Sequence, residues 1–253
     1  MAATDALLEA RGLVKRFGGL VATDDLDLSV RRGEIHAVIG PNGAGKTTLI
    51  GQLTGELRPD AGSILFDGAD VTALAAPARA RLGIARSFQI TQIFRRFTVL
   101  ENVMLAVQAR EPHAFRFWTD ARRDEALAGP ARRVLEETGL AASAGRLAGA
   151  LAHGEQRQLE IAMALATSPR MLLLDEPMAG MGREESERMT ALLRRLKARE
   201  TILLVEHDMD VVFALADRVT VLVYGRAIAS GPPDEIRANP EVRTAYLGED
   251  EAA

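Results

Sequence analysis

The stretch Gly40-Pro41-Asn42-Gly43-Ala44-Gly45-Lys46-Thr47 decides the reading of this chain. It fits the phosphate-loop pattern G-x-x-x-x-G-K-[ST], and it stands where such a loop must stand. An apolar strand pattern, Ile35 to Ile39, runs into it, and a helical pattern, Thr47 to Leu57, runs out of it. Glycines let the backbone bend until successive N–H groups face one anion. The helix that follows adds the positive end of its dipole. In this pattern Lys46 reaches the β- and γ-phosphates of a nucleotide, and Thr47 holds Mg²⁺. Composition supports the lysine independently. The chain has 28 Arg and three Lys (Lys15, Lys46 and Lys197), so it uses Arg wherever positive charge suffices. A compact ammonium fits between phosphates where a planar guanidinium does not.

The whole chain sets bounds around that loop. Its 253 residues suit one large α/β domain or a core with a subdomain. Hydrophobic residues make up 47%, enough for a sizeable core. The formal net charge of −4 gives no general drive toward nucleic acid, so none is expected as a partner. With no cysteine there is no disulfide framework and no thiolate chemistry. Met1 to Glu9 carry two acids and no basic n-region, so no signal peptide is expected. No apolar run approaches the roughly 20 residues that span a bilayer. The expectation is a cytoplasmic chain whose membrane role comes through a partner.

Along the chain the hydrophobic period changes. Leu7 to Arg32 alternate around Gly18-Gly19 and read as β-strands, and Gly62 to Phe66 read as another before an Asp67-Gly68 turn. From about Thr98 to Ala166 the spacing is helical, with a break near Glu111-Pro112-His113. Strand-type runs return at Met171 to Leu174, Thr201 to Val205 and Val219 to Tyr224, with a helical stretch from Arg183 to Arg199. Strands alternating with helices argue for a parallel sheet. The second chemical motif is Met171-Leu172-Leu173-Leu174-Asp175-Glu176, an apolar strand ending in two carboxylates. Strand alternation would point these in opposite directions, one to the Mg²⁺ shell and one to the attacking water.

With these residues in view, the sequence resembles the ATP-binding subunits of ABC transporters over nearly its full length. Gly40 to Thr47 resemble the Walker A loop, and Met171 to Asp175 resemble Walker B, with Glu176 as the catalytic glutamate. Gln89, in Ser87-Phe88-Gln89, resembles the Q-loop glutamine. Leu151-Ala152-His153-Gly154-Glu155-Gln156 stands where the signature LSGGQ belongs. Ala179 to Gly182 resemble the D-loop, His207 the switch histidine, and Phe17 the aromatic that stacks on adenine. The segments Gly154 to Ala162 and Val205-Glu206-His207-Asp208-Met209, and the ending from Asn239-Pro240-Glu241-Val242 to Gly248, resemble the branched-chain amino acid importer group. In that group the chain is similar to the ATP-binding subunit with the longer helical insertion. Related groups serve urea or short amides, or lipopolysaccharide export.

The resemblance implies an α/β fold of the P-loop NTPase, ABC ATPase type: a parallel sheet flanked by helices, an antiparallel β-layer and a helical subdomain. It implies a first core part over 1–90, the helical subdomain with the signature over 91–166, and a second core part with a helical tail over 167–253. It implies ATP bound by Phe17, by Gly40, Pro41, Asn42, Gly43, Ala44, Gly45, Lys46, Thr47 and Thr48, and across a dimer by Ala152, His153, Gly154 and Glu155. Thr47, Gln89 and Asp175 would serve Mg²⁺, while Glu176, His207 and Gln89 would serve hydrolysis. The implied partners are a second ATP-binding subunit, two membrane permeases and, indirectly, a substrate-binding protein. The implied location is the cytoplasmic face of the cell membrane. Two departures stand out. Ala152 lacks the serine hydroxyl, with His153 adding bulk, and Gly182 stands where many relatives carry an aspartate. Gln89 to Thr98, with Ile93, Phe94 and Phe97 among Arg95 and Arg96, is expected to face the membrane subunit. Phe115, Phe117 and Trp118 read as packing. Among rival classes, a soluble ABC protein would carry two ATP domains or a coiled-coil insertion. A signalling GTPase would carry an N-K-x-D motif. Neither feature is present in the sequence.

Overall fold

The computed structural model describes residues 5–87, 92–110 and 124–247. The alternating N-terminal stretch folds as a hairpin of β1 (Ala6–Phe17) and β2 (Leu20–Arg31), joined at Gly18-Gly19. Next comes β3 (Ile35–Ile39), buried along its whole length, and then α1 (Lys46–Thr54). The helix stops three residues short of the expected Leu57. Gly55 takes φ 82° there, and its N–H bonds back to Gln52 O. β4 (Ala61–Phe66) and β5 (Ala69–Asp70) flank the Asp67-Gly68 turn and complete an antiparallel sheet of order β2-β1-β4-β5.

α2 (Ala76–Leu82) and β6 (Ile84–Arg86) follow, neither of them anticipated. The one buried residue of α2 is Arg79. Its guanidinium donates to Gln52 O (2.7 Å), Leu53 O (2.8 Å), Thr72 O (3.0 Å) and Leu74 O (3.0 Å). Two of these acceptors are carbonyls at the C-terminal end of α1, where helix geometry leaves carbonyls to be satisfied from outside; Gln52 O also accepts from the C-cap N–H of Gly55.

The helical stretch resolves into α3 (Val99–Arg110), α4 (Glu125–Glu137) and α5 (His153–Ala166). These share a core of their own, with Val103, Val107, Leu127, Leu135 and Leu159 at its centre. The polar break expected near 111–113 lies outside the described residues.

The remaining elements complete the main sheet. They are β7 (Met171–Asp175), α6 (Arg183–Leu196), β8 (Thr201–Val205), α7 (Met209–Leu215), β9 (Arg218–Val223), β10 (Arg226–Gly231), α8 (Pro233–Ala238) and α9 (Pro240–Leu247). The order is β10-β9-β3-β8-β7-β6, parallel throughout except for β10, an unanticipated antiparallel edge. Burial on both faces explains the unbroken apolar runs. Alternation still decides which face each residue serves. Leu173 and Leu203 pack with α1 and the antiparallel sheet, whereas Leu172, Leu174, Ile202 and Leu204 pack with α6 and α7. Among the described residues, no helix is long and apolar enough to cross a membrane.

Candidate nucleotide site

β3, β7 and β8 run parallel and in register, so Ile39, Asp175 and Val205 end at one edge of the sheet. That edge is where open α/β sheets bind ligands. The loop from Gly40 to Gly45 leaves β3 there and is clamped by main chain on two sides. A Cβ on Gly40 would lie 2.3 Å from Leu222 O, and one on Gly45 would lie 2.2 Å from Ala22 O. Gly45 also takes φ 102° as it opens α1. Gly225 N–H donates to Ala44 O (3.0 Å), and Asp24 N–H donates to Gly225 O (2.9 Å), tying the loop to both sheets. Asn42, Gly43 and Thr47 are exposed, Pro41 and Thr48 are half-buried, and Ala44 is buried.

Lys46 is buried and folds back, its Nζ donating to Gly40 O (2.5 Å) and Pro41 O (3.0 Å). Burial pulls the ammonium below its usual range, opposed by the carboxylates of Glu176 and Asp175. Asp175 is buried at the end of β7, where Arg86 Nη2 donates to it at 3.2 Å. Burial pushes its carboxyl above the usual range, and the Arg86 guanidinium opposes that.

Glu176 departs from the sequence expectation in one respect. It does not continue the strand alternation, because the chain turns at φ 47° immediately after Asp175. Its N–H donates to Val205 O at 2.9 Å, which fixes the turn against β8. A non-glycine residue in the left-handed region is uncommon, and its cost must be met by the surrounding contacts. Glu176 lies beyond β7, so the direction of its side chain is set by this turn and not by the pleat of the strand. His207 follows β8 with a side chain 64% exposed, and its Nδ1 lies 3.8 Å from Glu176 Oε1. Phe17 is 48% exposed at the end of β1, with Lys15 Nζ 5.7 Å from its ring centroid. Its exposure separates it from the hydrophobic core.

Gln89 lies outside the described residues, as do Phe88, Phe115, Phe117 and Trp118. Among the described residues, no hydrogen bond or ion pair joins 152–155 to 40–48. Within one chain the signature segment is therefore not joined to the phosphate loop. Ala152 and His153 are exposed at the start of α5, and Glu155 Oε2 accepts from Ala152 N–H at 3.0 Å. Gly154 is buried against Glu185, whose Oε1 would lie 2.7 Å from a Cβ there. His153 Cε1 would lie 3.6 Å from a Cβ on Gly180, two residues before the other departure, Gly182. Phe94 and Phe97 are exposed and stacked at 5.6 Å, whereas Ile93 packs partly against the helical core. The backbone of this segment supports the approach to the signature, through Ala148 N–H to Phe97 O and Gly149 N–H to Arg95 O, both 2.9 Å.

Sequence reasoning missed Arg86 and Glu206. Arg86 gave no signal. Glu206 gave one, a carboxylate directly after the apolar run Ile202 to Val205.

The residues 23–179 match the family described as ABC transporter. A second family, described as Branched-chain amino acid ATP-binding cassette transporter, matches 228–252. The chain is 42% identical over 250 residues to the high-affinity branched-chain amino acid transport ATP-binding protein BraF of Pseudomonas aeruginosa, covering 96% of this chain and 98% of that one. It is 41% identical over 255 residues to the corresponding protein LivG of Escherichia coli K12, with the same coverage. Among solved structures it resembles the ADP conformation of an ATP-binding cassette of an ABC transporter, with a TM-score of 0.86 and 32% identity over 97% of this chain and 100% of that chain. A nucleotide-free cassette matches with a TM-score of 0.85 and 32% identity, over 95% and 98%. The chain is an ATP-binding cassette ATPase and belongs to the ABC transporter family.

Proposed function

We propose that this chain powers an importer for branched-chain or other hydrophobic amino acids. The observation that carries the substrate class is the match of residues 228–252, which follow the residues matched by the general family, to the branched-chain amino acid family. The full-length similarity to two branched-chain amino acid transport proteins supports it. In this reading the chain sits on the cytoplasmic face of the membrane, held by two permease subunits. It pairs with a second, different ATP-binding subunit and receives solute indirectly from a substrate-binding protein. Residues 91–166 form the helical subdomain between two core parts, 1–90 and 167–253.

The donor set suits Mg²⁺-ATP. Among the described residues, no cluster of three or more His, Cys, Asp or Glu side chains could hold a metal by itself. Thr47 and Asp175 instead offer single hard oxygens, joined by Gln89 in sequence order, as suits a cation shared with phosphate oxygens. When bound, Mg²⁺ neutralises charge between the β- and γ-phosphates. Lys46 exchanges the carbonyls of Gly40 and Pro41 for phosphate oxygens, a stronger, charge-assisted contact. The loop from Gly40 to Thr48 presents its amides to the same oxygens. Phe17 stacks on the base. Glu176 accepts the proton of the attacking water, and His207 orients that water beside it. Ala152, His153, Gly154 and Glu155 cover the partner's nucleotide across the dimer.

The test uses the complete transporter in proteoliposomes. Glu176→Gln should lower turnover by about 10²–10⁴-fold and keep ATP binding. Lys46→Ala should weaken ATP binding itself by about 10–100-fold, read by calorimetry. Leucine uptake should stop in both. Turnover of Glu176→Gln within a few-fold of wild type would remove the assignment. Hydrolysis without uptake of any branched-chain amino acid would remove the substrate class.

A further inference from the structure

One buried carboxylate joins the loop after β7 to the loop after β8. Glu206 is 1% exposed. Its Oε1 accepts from Met178 N–H at 3.1 Å, and its Oε2 accepts from His207 N–H at 3.1 Å. The two oxygens of one side chain therefore hold two separate stretches of backbone. Burial pushes this carboxyl up, and hydrogen bonds from the amides of Met178, His207 and Asp208 oppose that. An apolar side chain would fill the same space without the desolvation cost of a carboxylate. A carboxylate does what an apolar group cannot, since it accepts from both loops at once.

Each loop leads to a different nucleotide. His207 lies 3.8 Å from Glu176 Oε1, at this chain's own site. The loop begun by Met178 continues to Gly180, which lies against the ring of His153 in the signature segment. We propose that Glu206 is a positioning residue that couples His207 to the loop 177–182. A shift of the histidine backbone on γ-phosphate binding or loss is thereby passed to the surface facing the partner's site. This inference rests on the reading of His207 and the signature segment given above.

Glu206→Gln tests it in the complete transporter. The amide keeps the shape, but it places an NH₂ against one of the two N–H donors. Turnover should fall about tenfold with KM for ATP within twofold, since one charge-assisted bond is lost and the phosphate loop is untouched. Hydrogen exchange at the amides of Met178 and His207 should speed up. In a His207→Ala background the same change should cost less than twofold, because the path it acts through is already broken. Glu206→Asp keeps the charge but is one methylene short, so it should release one loop and give an intermediate loss. Equal losses in both backgrounds, or unchanged exchange at both amides, overturn the coupling. Normal turnover in His207→Ala overturns the histidine assignment and the coupling with it. Wild-type turnover in Glu206→Gln beside an impaired His207→Ala overturns the coupling alone.

Discussion

The helices of this chain begin in two different ways. α4 and α7 cap themselves. Asp124 accepts from Ala126 N–H, and Asp208 accepts from Asp210 and Val211 N–H. α1, α5 and α6 do not. They start from Gly45, Ala152 and Gly182, none of which has a side-chain acceptor for the first-turn N–H groups, although Glu155 and Glu185 reach back to the N–H of Ala152 and Gly182. Each of the first four N–H groups of a helix needs a partner from outside the helix. A self-capped helix has spent its first turn on its own side chain, and its positive end is masked by a carboxylate. An uncapped helix keeps that turn open to an anion. The uncapped starts of α1 and α5 fall in the two segments assigned to phosphate, one in this chain's site and one in the partner's.

The sharpest way to break this contrast is to cap a phosphate-facing helix. Ala152→Asp should stabilise the free chain by about 1 kcal/mol as an N-cap. In the complete transporter it should lower turnover about 100-fold, because a carboxylate would face the partner's γ-phosphate. A gain in melting temperature with unchanged turnover would show that α5 faces no phosphate. The converse change sharpens the contrast. Ala152→Ser with His153→Gly adds a neutral donor and removes the ring, so hydrolysis at the partner's site should rise about tenfold. The altered signature predicts that the two ATP sites of the pair are unequal, and unchanged turnover with both sites hydrolysing equally would rule that out. Asp124→Ala serves as the control on a self-capped helix. It should cost about 1 kcal/mol, lowering the melting temperature by about 2–4 °C, with turnover within twofold. The smallest effect belongs to Gly182→Asp. An aspartate at this N-cap should add only a few tenths of a kcal/mol over glycine, visible as a shift in denaturant midpoint.

The parts of the molecule legible in the sequence were those whose chemistry needs a fixed residue at a fixed spacing. The phosphate loop, the Asp175-Glu176 pair and the long apolar strands are of this kind, and the fold class follows from them. What was not legible depends on neighbours distant in sequence. α2 carries no apolar stripe, because the residue it buries is Arg79, and a lone arginine reads as surface. β6 has three residues and takes its meaning from pairing with β7. β10 is rich in small residues and exists by pairing with β9. The direction of Glu176 was expected from the pleat, but the residue lies beyond β7 in a left-handed turn held by Val205 O. Glu206 looked like one more acid beside the histidine, because a sequence does not show which amides a carboxylate will meet.

Arg79 has a mechanical consequence. Its four bonds tie Gln52 and Leu53, at the end of α1, to Thr72 and Leu74. Thr72 in turn is bonded to Ile64 of the antiparallel sheet at 2.8 Å. A hinge between that sheet and the phosphate helix would leave a buried guanidinium without acceptors, a cost of several kcal/mol. The seam behaves as a weld. A displacement of α1 would thus be carried into the antiparallel layer rather than absorbed at this seam.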